Sequence, residues 1–211
     1  MRSFITDPAA IEDKSMQIIE TEMAEMAKKF SQPELAVVKR VIHTTADFEY
    51  ADLIKFSPGA LEIGLNAMKS GDRVIVADTN MIVSGINKGL LASFRGSAIC
   101  LVADEETRQA ALAEKLTRSM VNIRRASQQY PEAIFAIGNA PTALYELLRL
   151  IEAGDARPAL VIGVPVGFVE AEESKEELLI SNTPYITIRG RKGGSTVAVA
   201  IINAMLKLAG S

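Results

Sequence analysis

Two side chains one helical turn apart carry the clearest chemistry in this chain. Arg40 and His43 lie in the stretch 33–45. Imidazole titrates near neutral pH and is the side chain most often used to give or take a proton. At about 100° per residue the two fall roughly 60° apart, opposite a stripe of Leu35, Val38, Val41, Ile42 and Thr45. A guanidinium beside an imidazole disfavours its protonation unless an anion lies between them. The pair therefore suits a cleft that receives an anionic guest. A solvated polar face shared with Lys39 and Glu34 explains the same spacing, and spacing alone leaves both readings open.

Other polar residues gather where apolar runs end. Asp78, Thr79 and Asn80 follow one run and Asp104 a second. Gly138, Asn139, Ala140, Pro141 and Thr142 follow a third; Pro165-Val166-Gly167 and Arg189-Gly190-Arg191 follow two more. Gly193-Gly194-Ser195-Thr196 opens the last helical segment. The turns 138–142 and 193–196 lead into helix N-termini, where free N–H groups and the helix dipole favour anions. Asn139 and Ser195 serve equally well as plain caps. Neither turn is a G-x-G-x-x-G or Walker-type loop, so no nucleotide is indicated. Ser15 sits at the edge of an apolar stripe, placed either to bond a carbonyl one turn back or to enter a cleft. Asp47, Glu49 and Asp52, with Tyr50 among them, read as a surface turn. Cys100 reads as a small core residue in mid-strand, and the charges of 170–177 as a solvated helix face.

The elements that must position these residues follow from caps and periodicity. Asp7-Pro8 opens a helix expected to reach about Phe30. Ser31-Gln32-Pro33-Glu34 opens a second, ending near Thr45, and Ser57-Pro58-Gly59 a third, ending at Lys69-Ser70-Gly71-Asp72. The segments 74–77, 98–103, 133–137, 159–164 and 185–188 are apolar runs without polar alternation, as in strands covered on both faces. Helical segments at 105–129, 141–153 and 170–179 separate most of them, and a last helix runs from 195 to about 208. The link 77–91, broken by Gly85 and Gly89, has no clear pattern. This alternation predicts an α/β fold: a mostly parallel five-stranded sheet with helices on both faces and the N-terminal helices packed around it. No repeat, low-complexity tract or linker divides 1–211, so a single domain is expected. Ligands of open parallel sheets sit beyond the carboxyl ends of the strands, where the polar turns fall.

Composition narrows the function classes. The chain has 211 residues, 48% hydrophobic and 23% charged, ordinary for a soluble globular domain. Its net charge of −3 supplies no polycation to grip nucleic acid. Absent Trp and 5% aromatics argue against a base-stacking platform. One Cys and one His exclude a disulfide framework and a Cys/His zinc cage built by one chain, so no metal ligands are expected. The N-terminal stretch carries early acids and no apolar core, and no apolar run reaches about 20 residues, so neither a signal peptide nor a membrane span is expected and a cytoplasmic location is.

Several motifs in a fixed order resemble the precorrin-8X / cobalt-precorrin-8 methylmutases of corrin (vitamin B12) biosynthesis. They are Arg40-Val-Ile-His43, the run 136–144 around Gly138-Asn139-Ala140-Pro141-Thr142, the run 164–169 followed by Glu173-Ser174-Lys175, and the run 189–195. The resemblance covers nearly the whole chain. It implies a homodimer, a corrinoid small-molecule substrate, and intramolecular transfer of the methyl on C11 of the macrocycle to C12, without a cofactor. Cobalt, where present, is carried by the substrate, and overall likeness leans to the cobalt-pathway members. His43 matches the family's proton donor/acceptor; Ser15 and Arg40 match substrate-binding positions. The resemblance also carries over Thr117, Arg118 and Ser119, Asp78 and the 138–142 turn with Asn139 and Thr142. Arg40, Arg118, Arg189, Arg191 and the helix start at Ser195 are the expected counter-charges for the substrate's carboxylates. Two other readings use the same residues: a non-catalytic corrinoid carrier, and an unrelated anion-binding isomerase with 138–142 as phosphate cradle and His43 as base.

Overall fold

The protein is described by a computed structural model covering residues 6–211. Both carboxylate oxygens of Asp7 accept amide hydrogens, from Ala9 and Ala10, and start α1 (Pro8–Glu22). The helix expected to reach Phe30 breaks at Met23, whose backbone leaves the helical region while its side chain is fully buried. The short α2 (Ala24–Ala27) follows. The carboxylate of Glu34 then accepts from both the amide and the hydroxyl of Ser31, fixing the entry to α3 (Gln32–Thr45). Ala46 ends α3 in the left-handed conformation, φ 53°. This turn redirects the chain through α4 (Tyr50–Leu53) into β1 (Ile54–Phe56).

Strands and helices then alternate. The order is α5 (Ala60–Lys69), β2 (Val74–Ala77), α6 (Asn80–Gly85), α7 (Lys88–Ser93), β3 (Ser97–Ile99), α8 (Glu105–Glu114), α9 (Arg118–Gln129) and β4 (Ile134–Ile137). After these come α10 (Pro141–Glu152), β5 (Leu160–Gly163), α11 (Ala171–Leu179), β6 (Tyr185–Ile188) and α12 (Ser195–Ala209). The sheet has six strands in the order β1-β6-β5-β4-β2-β3. β2 to β6 are parallel and β1 pairs antiparallel with β6, Ile54 opposite Ile188.

Three further expectations need correction. The sheet has a sixth strand because Ile54-Lys55-Phe56 borrows its pairing from β6; three residues are too short to show a period of their own. The segment 98–103 holds only the end of a strand: β3 stops at Ile99, and Cys100 lies past it, half-buried. The helix expected over 105–129 is two, broken at Lys115 with φ 56° and restarted where the Thr117 hydroxyl accepts from the Met120 amide at 3.2 Å.

Alternation within each strand explains the layers. Ile75, Ala77, Ile134, Ala136, Leu160 and Ile162 face one core with α3, α5 and α12. Val76, Phe135, Ile137 and Val161 face the other, against α9, α10 and α11. Burial of each large aliphatic side chain stabilises the fold by about 1.5–3 kcal/mol before entropy is counted. The central helix is α12, with nine buried residues. Among the described residues no helix is long and apolar enough to cross a membrane. β3 and β4 flank β2 on opposite sides, so the order of connection reverses beyond Ala77 and Ile137, the place where open parallel sheets take their ligands.

Candidate active site

At the strand reversal, Asp78 follows β2 with 1% exposure. One carboxylate oxygen accepts from the Gly138 amide at 3.0 Å; the other accepts from Asn139 and Ala140, both at 2.8 Å. Burial pushes this carboxyl above the usual range, against the pull of the three amides. The turn that the sequence offers as an anion cradle is therefore filled by the chain's own carboxylate. Asp78 shapes the turn from beneath, and its oxygens are already spoken for.

The turn also rests on α12. A Cβ on Gly138 would lie 2.7 Å from the Ser195 Cα, so only glycine permits this approach. The hydroxyls of Thr79 and Ser195 meet at 3.0 Å. Thr117 and Thr142 meet through their hydroxyls at 3.2 Å, joining the start of α9 to that of α10. Asp78, Asn139, Thr142, Thr117 and Ser195 thus form one polar rim at the carboxyl end of the sheet. Arg118 is exposed on the first turn of α9 beside it.

A second group stands one step along α12. Thr196 lines a cavity of about 520 Å³ that follows the helix to Asn203 and Lys207. Arg40 and Thr44 of α3, Glu12 of α1 and Met81 of α6 complete much of its wall. Arg40 donates to Glu12 at 2.6 Å, and this bond holds the Glu12 carboxyl below its usual range. His43, half-buried and one turn past Arg40, is close enough for its charge to act on Glu12 in the same direction. It flanks the cavity rather than lining it. Ser15, one turn past Glu12, is half-buried and its hydroxyl donates to the Ile11 carbonyl at 2.9 Å, the back-bonding alternative. Glu12, Asn203 and Lys207 had no sequence signal, because their meeting with Arg40 and Thr196 depends on how α1, α3 and α12 pack.

Arg189 stands apart. Its guanidinium takes both oxygens of Glu176 on α11, at 3.1 and 3.2 Å, and does not line the cavity. Asp47 and Glu49, read from sequence as a solvated turn, are instead tied to Lys192, Glu49 at 2.7 Å. The Lys192 bond holds the Asp47 carboxyl below its usual range.

The fold and these groups define a doubly wound α/β protein with a polar rim at the carboxyl end of its sheet and a cavity bearing Arg40 and Lys207 beside it. Residues 10–208 match the precorrin-8X methylmutase family. The chain is 45% identical over 204 residues to the cobalt-precorrin-8 methylmutase of Priestia megaterium, covering 97% of this chain and 89% of that protein. It is 44% identical over 206 residues to the cobalt-precorrin-8 methylmutase of Leptospira interrogans, covering 94% and 92%. The precorrin-8x methyl mutase structure from Thermus thermophilus superposes with a TM-score of 0.85 at 43% identity, over 95% of this chain and 96% of that one. The chain belongs to the precorrin-8X methylmutase family. It is an isomerase of corrin biosynthesis.

Proposed function

We propose that this chain, as a single domain, moves the C11 methyl of cobalt-precorrin-8 to C12, giving cobyrinic acid, with His43 as proton donor and acceptor. The two curated relatives described above, 44–45% identical, carry the cobalt form in their names; this supports that substrate over the metal-free one, whose product would be hydrogenobyrinic acid. The metal travels inside the macrocycle and needs no protein ligand.

The methyl keeps its electrons within the substrate: its bond to C11 breaks as the bond to C12 forms, a [1,5]-sigmatropic shift. A methyl on a saturated ring carbon interrupts conjugation, and its migration restores a delocalised system. What remains for the protein is orientation and a proton exchanged with the macrocycle as charge redistributes. Arg40 and Lys207 are counter-charges for substrate carboxylates on the cavity wall. Arg118, with the rim of Thr117, Thr142, Asn139 and Ser195, receives others, while Asp78 holds the rim in shape. Ser15 contributes through the oxygen left free to accept.

The observation that carries the reading is the placement of Arg40 and His43 on one face of α3 beside a cavity with two cationic groups. A decorated macrocycle outgrows a cavity of about 520 Å³, which supports a homodimer whose second copy completes the enclosure. A cytoplasmic setting suits a water-soluble, polycarboxylated substrate. Turnover of the C11-methyl corrinoid, followed by absorbance with substrate in excess, tests the proposal. Conversion of many equivalents is expected; stoichiometric binding without conversion would make the protein a carrier.

A further inference from the structure

Among the described residues, Lys175 is the only cationic side chain in the buried set, with no exposed surface. No carboxylate stands within ion-pair distance of it among those residues. Glu176, its neighbour, is taken by Arg189. The Lys175 ammonium instead donates to the backbone carbonyl of Lys192 at 2.8 Å. Burial pushes its pKa down to about 8, with Glu172 and Glu176 of its own helix opposing the shift. A buried ammonium spent on one carbonyl is a costly way to fill space, so the orientation of that carbonyl is the thing to explain.

Lys192 lies in the segment from β6 to α12, which is held from every side. The Lys192 ammonium binds Asp47 and Glu49. The Tyr50 hydroxyl donates to the Gly193 carbonyl at 3.5 Å. The Gly194 amide donates to the Val164 carbonyl at 2.8 Å, and the Gly167 amide to the Arg191 carbonyl at 3.3 Å. A Cβ on Gly193, at φ 150°, would lie 2.3 Å from the Val164 oxygen, so this backbone lies too close to its neighbour for any side chain. The peptide between Lys192 and Gly193 is planar and trans, so its N–H points opposite to its C=O. With the carbonyl turned onto Lys175, the Gly193 N–H is turned away from it. That N–H has no acceptor among the described residues. Two and three residues later come Ser195 of the rim and Thr196 of the cavity wall.

We propose that Lys175 is a positioning residue that orients the Lys192–Gly193 peptide so that the Gly193 N–H is presented to a carboxylate of the corrinoid. The inference rests on the proposed substrate and adds a donor and its support.

Two measurements test it. In wild-type protein, hydrogen exchange of the peptide spanning residues 191–196 is compared with and without cobyrinic acid. Slower exchange on binding is expected; no change, with the product shown to be bound, would overturn the proposal. Lys175→Met is then compared with Lys175→Arg, which keeps a charged donor. Lys175→Met is expected to raise KM about fivefold or more with kcat changed less than twofold, and to speed tryptic cleavage after Arg191 and Lys192. Recovery of KM in Lys175→Arg supports the proposal. A folded Lys175→Met with wild-type KM and cleavage overturns it. Should Lys175→Met fail to fold, the wild-type exchange result decides alone. Absence of turnover in wild-type protein would instead sink the assigned reaction, a different result from any of these.

Discussion

The Asp78 carboxylate reaches across the strand reversal to the Asn139 amide, 61 residues further along the chain, at 2.8 Å. The helix start that would have been the most inviting anion site is thereby occupied from within. The protein uses that carboxylate to set the shape of a turn.

Replacing Asp78 by Asn tests this support. An amide keeps one acceptor oxygen and turns its NH2 toward donors, so at least one of Gly138, Asn139 and Ala140 loses its partner. A loss of about 1–3 kcal/mol in urea unfolding is expected for an unsatisfied buried amide, with turnover reduced as the turn relaxes. An Asp78→Asn protein as stable and active as wild type would show that the turn holds itself.

Gly138→Ala probes the contact between the turn and α12. The added methyl meets Ser195 backbone atoms at 2.7 and 2.9 Å, which cannot rotate aside. Overpacking of this kind costs about 1–3 kcal/mol. A melting temperature lowered by several degrees is expected, together with loss of activity. Calorimetry and the absorbance assay check both.

In the proposed reading of Arg40 as a counter-charge for the corrinoid, Glu12 competes with the substrate for it. The pair is partly solvated, with side chains 25% and 43% exposed, so the competition is worth at most about 1 kcal/mol. Glu12→Gln should therefore lower KM for the corrinoid by about two- to fivefold. Arg40→Ala should raise KM with a smaller effect on kcat. Steady-state kinetics on the two variants would contradict this account if they moved KM in the same direction.

Lys175 makes stability depend on pH. Its folded pKa, about 8, lies below the unfolded value of about 10.4. Between these values the unfolded chain binds more protons, so stability rises with pH across that window, by up to about 3 kcal/mol. Urea melts at pH 7.5 and 9.5 should show wild type gaining on Lys175→Met. An unchanged difference would mean that the ammonium is not desolvated.

Much of this was legible in the sequence because it is local. The buried strands 134–137 and 160–163 announce themselves by unbroken apolar runs, and Asp7 and Ser31 cap the helices that follow them. Arg40 and His43 were found by spacing on one helix. Contacts between distant segments left no such trace. Glu12 meets Arg40 only because α1 packs on α3, and Lys192 meets Asp47 only because the left-handed Ala46 turns the chain toward α12. β1 exists as a strand only because β6 lies beside it. The break at Met23 reflects tertiary burial overriding local helix propensity.

The central claim is that the His43 imidazole exchanges a proton with the macrocycle as the methyl moves. The most direct measurement is the single-turnover rate of methyl migration in His43→Ala with substrate saturating and binding measured separately by absorbance titration. A fall of about 10²–10⁴-fold, the usual contribution of a positioned acid or base, with affinity changed little, is the expected result. Migration at the wild-type rate in that variant would contradict the account.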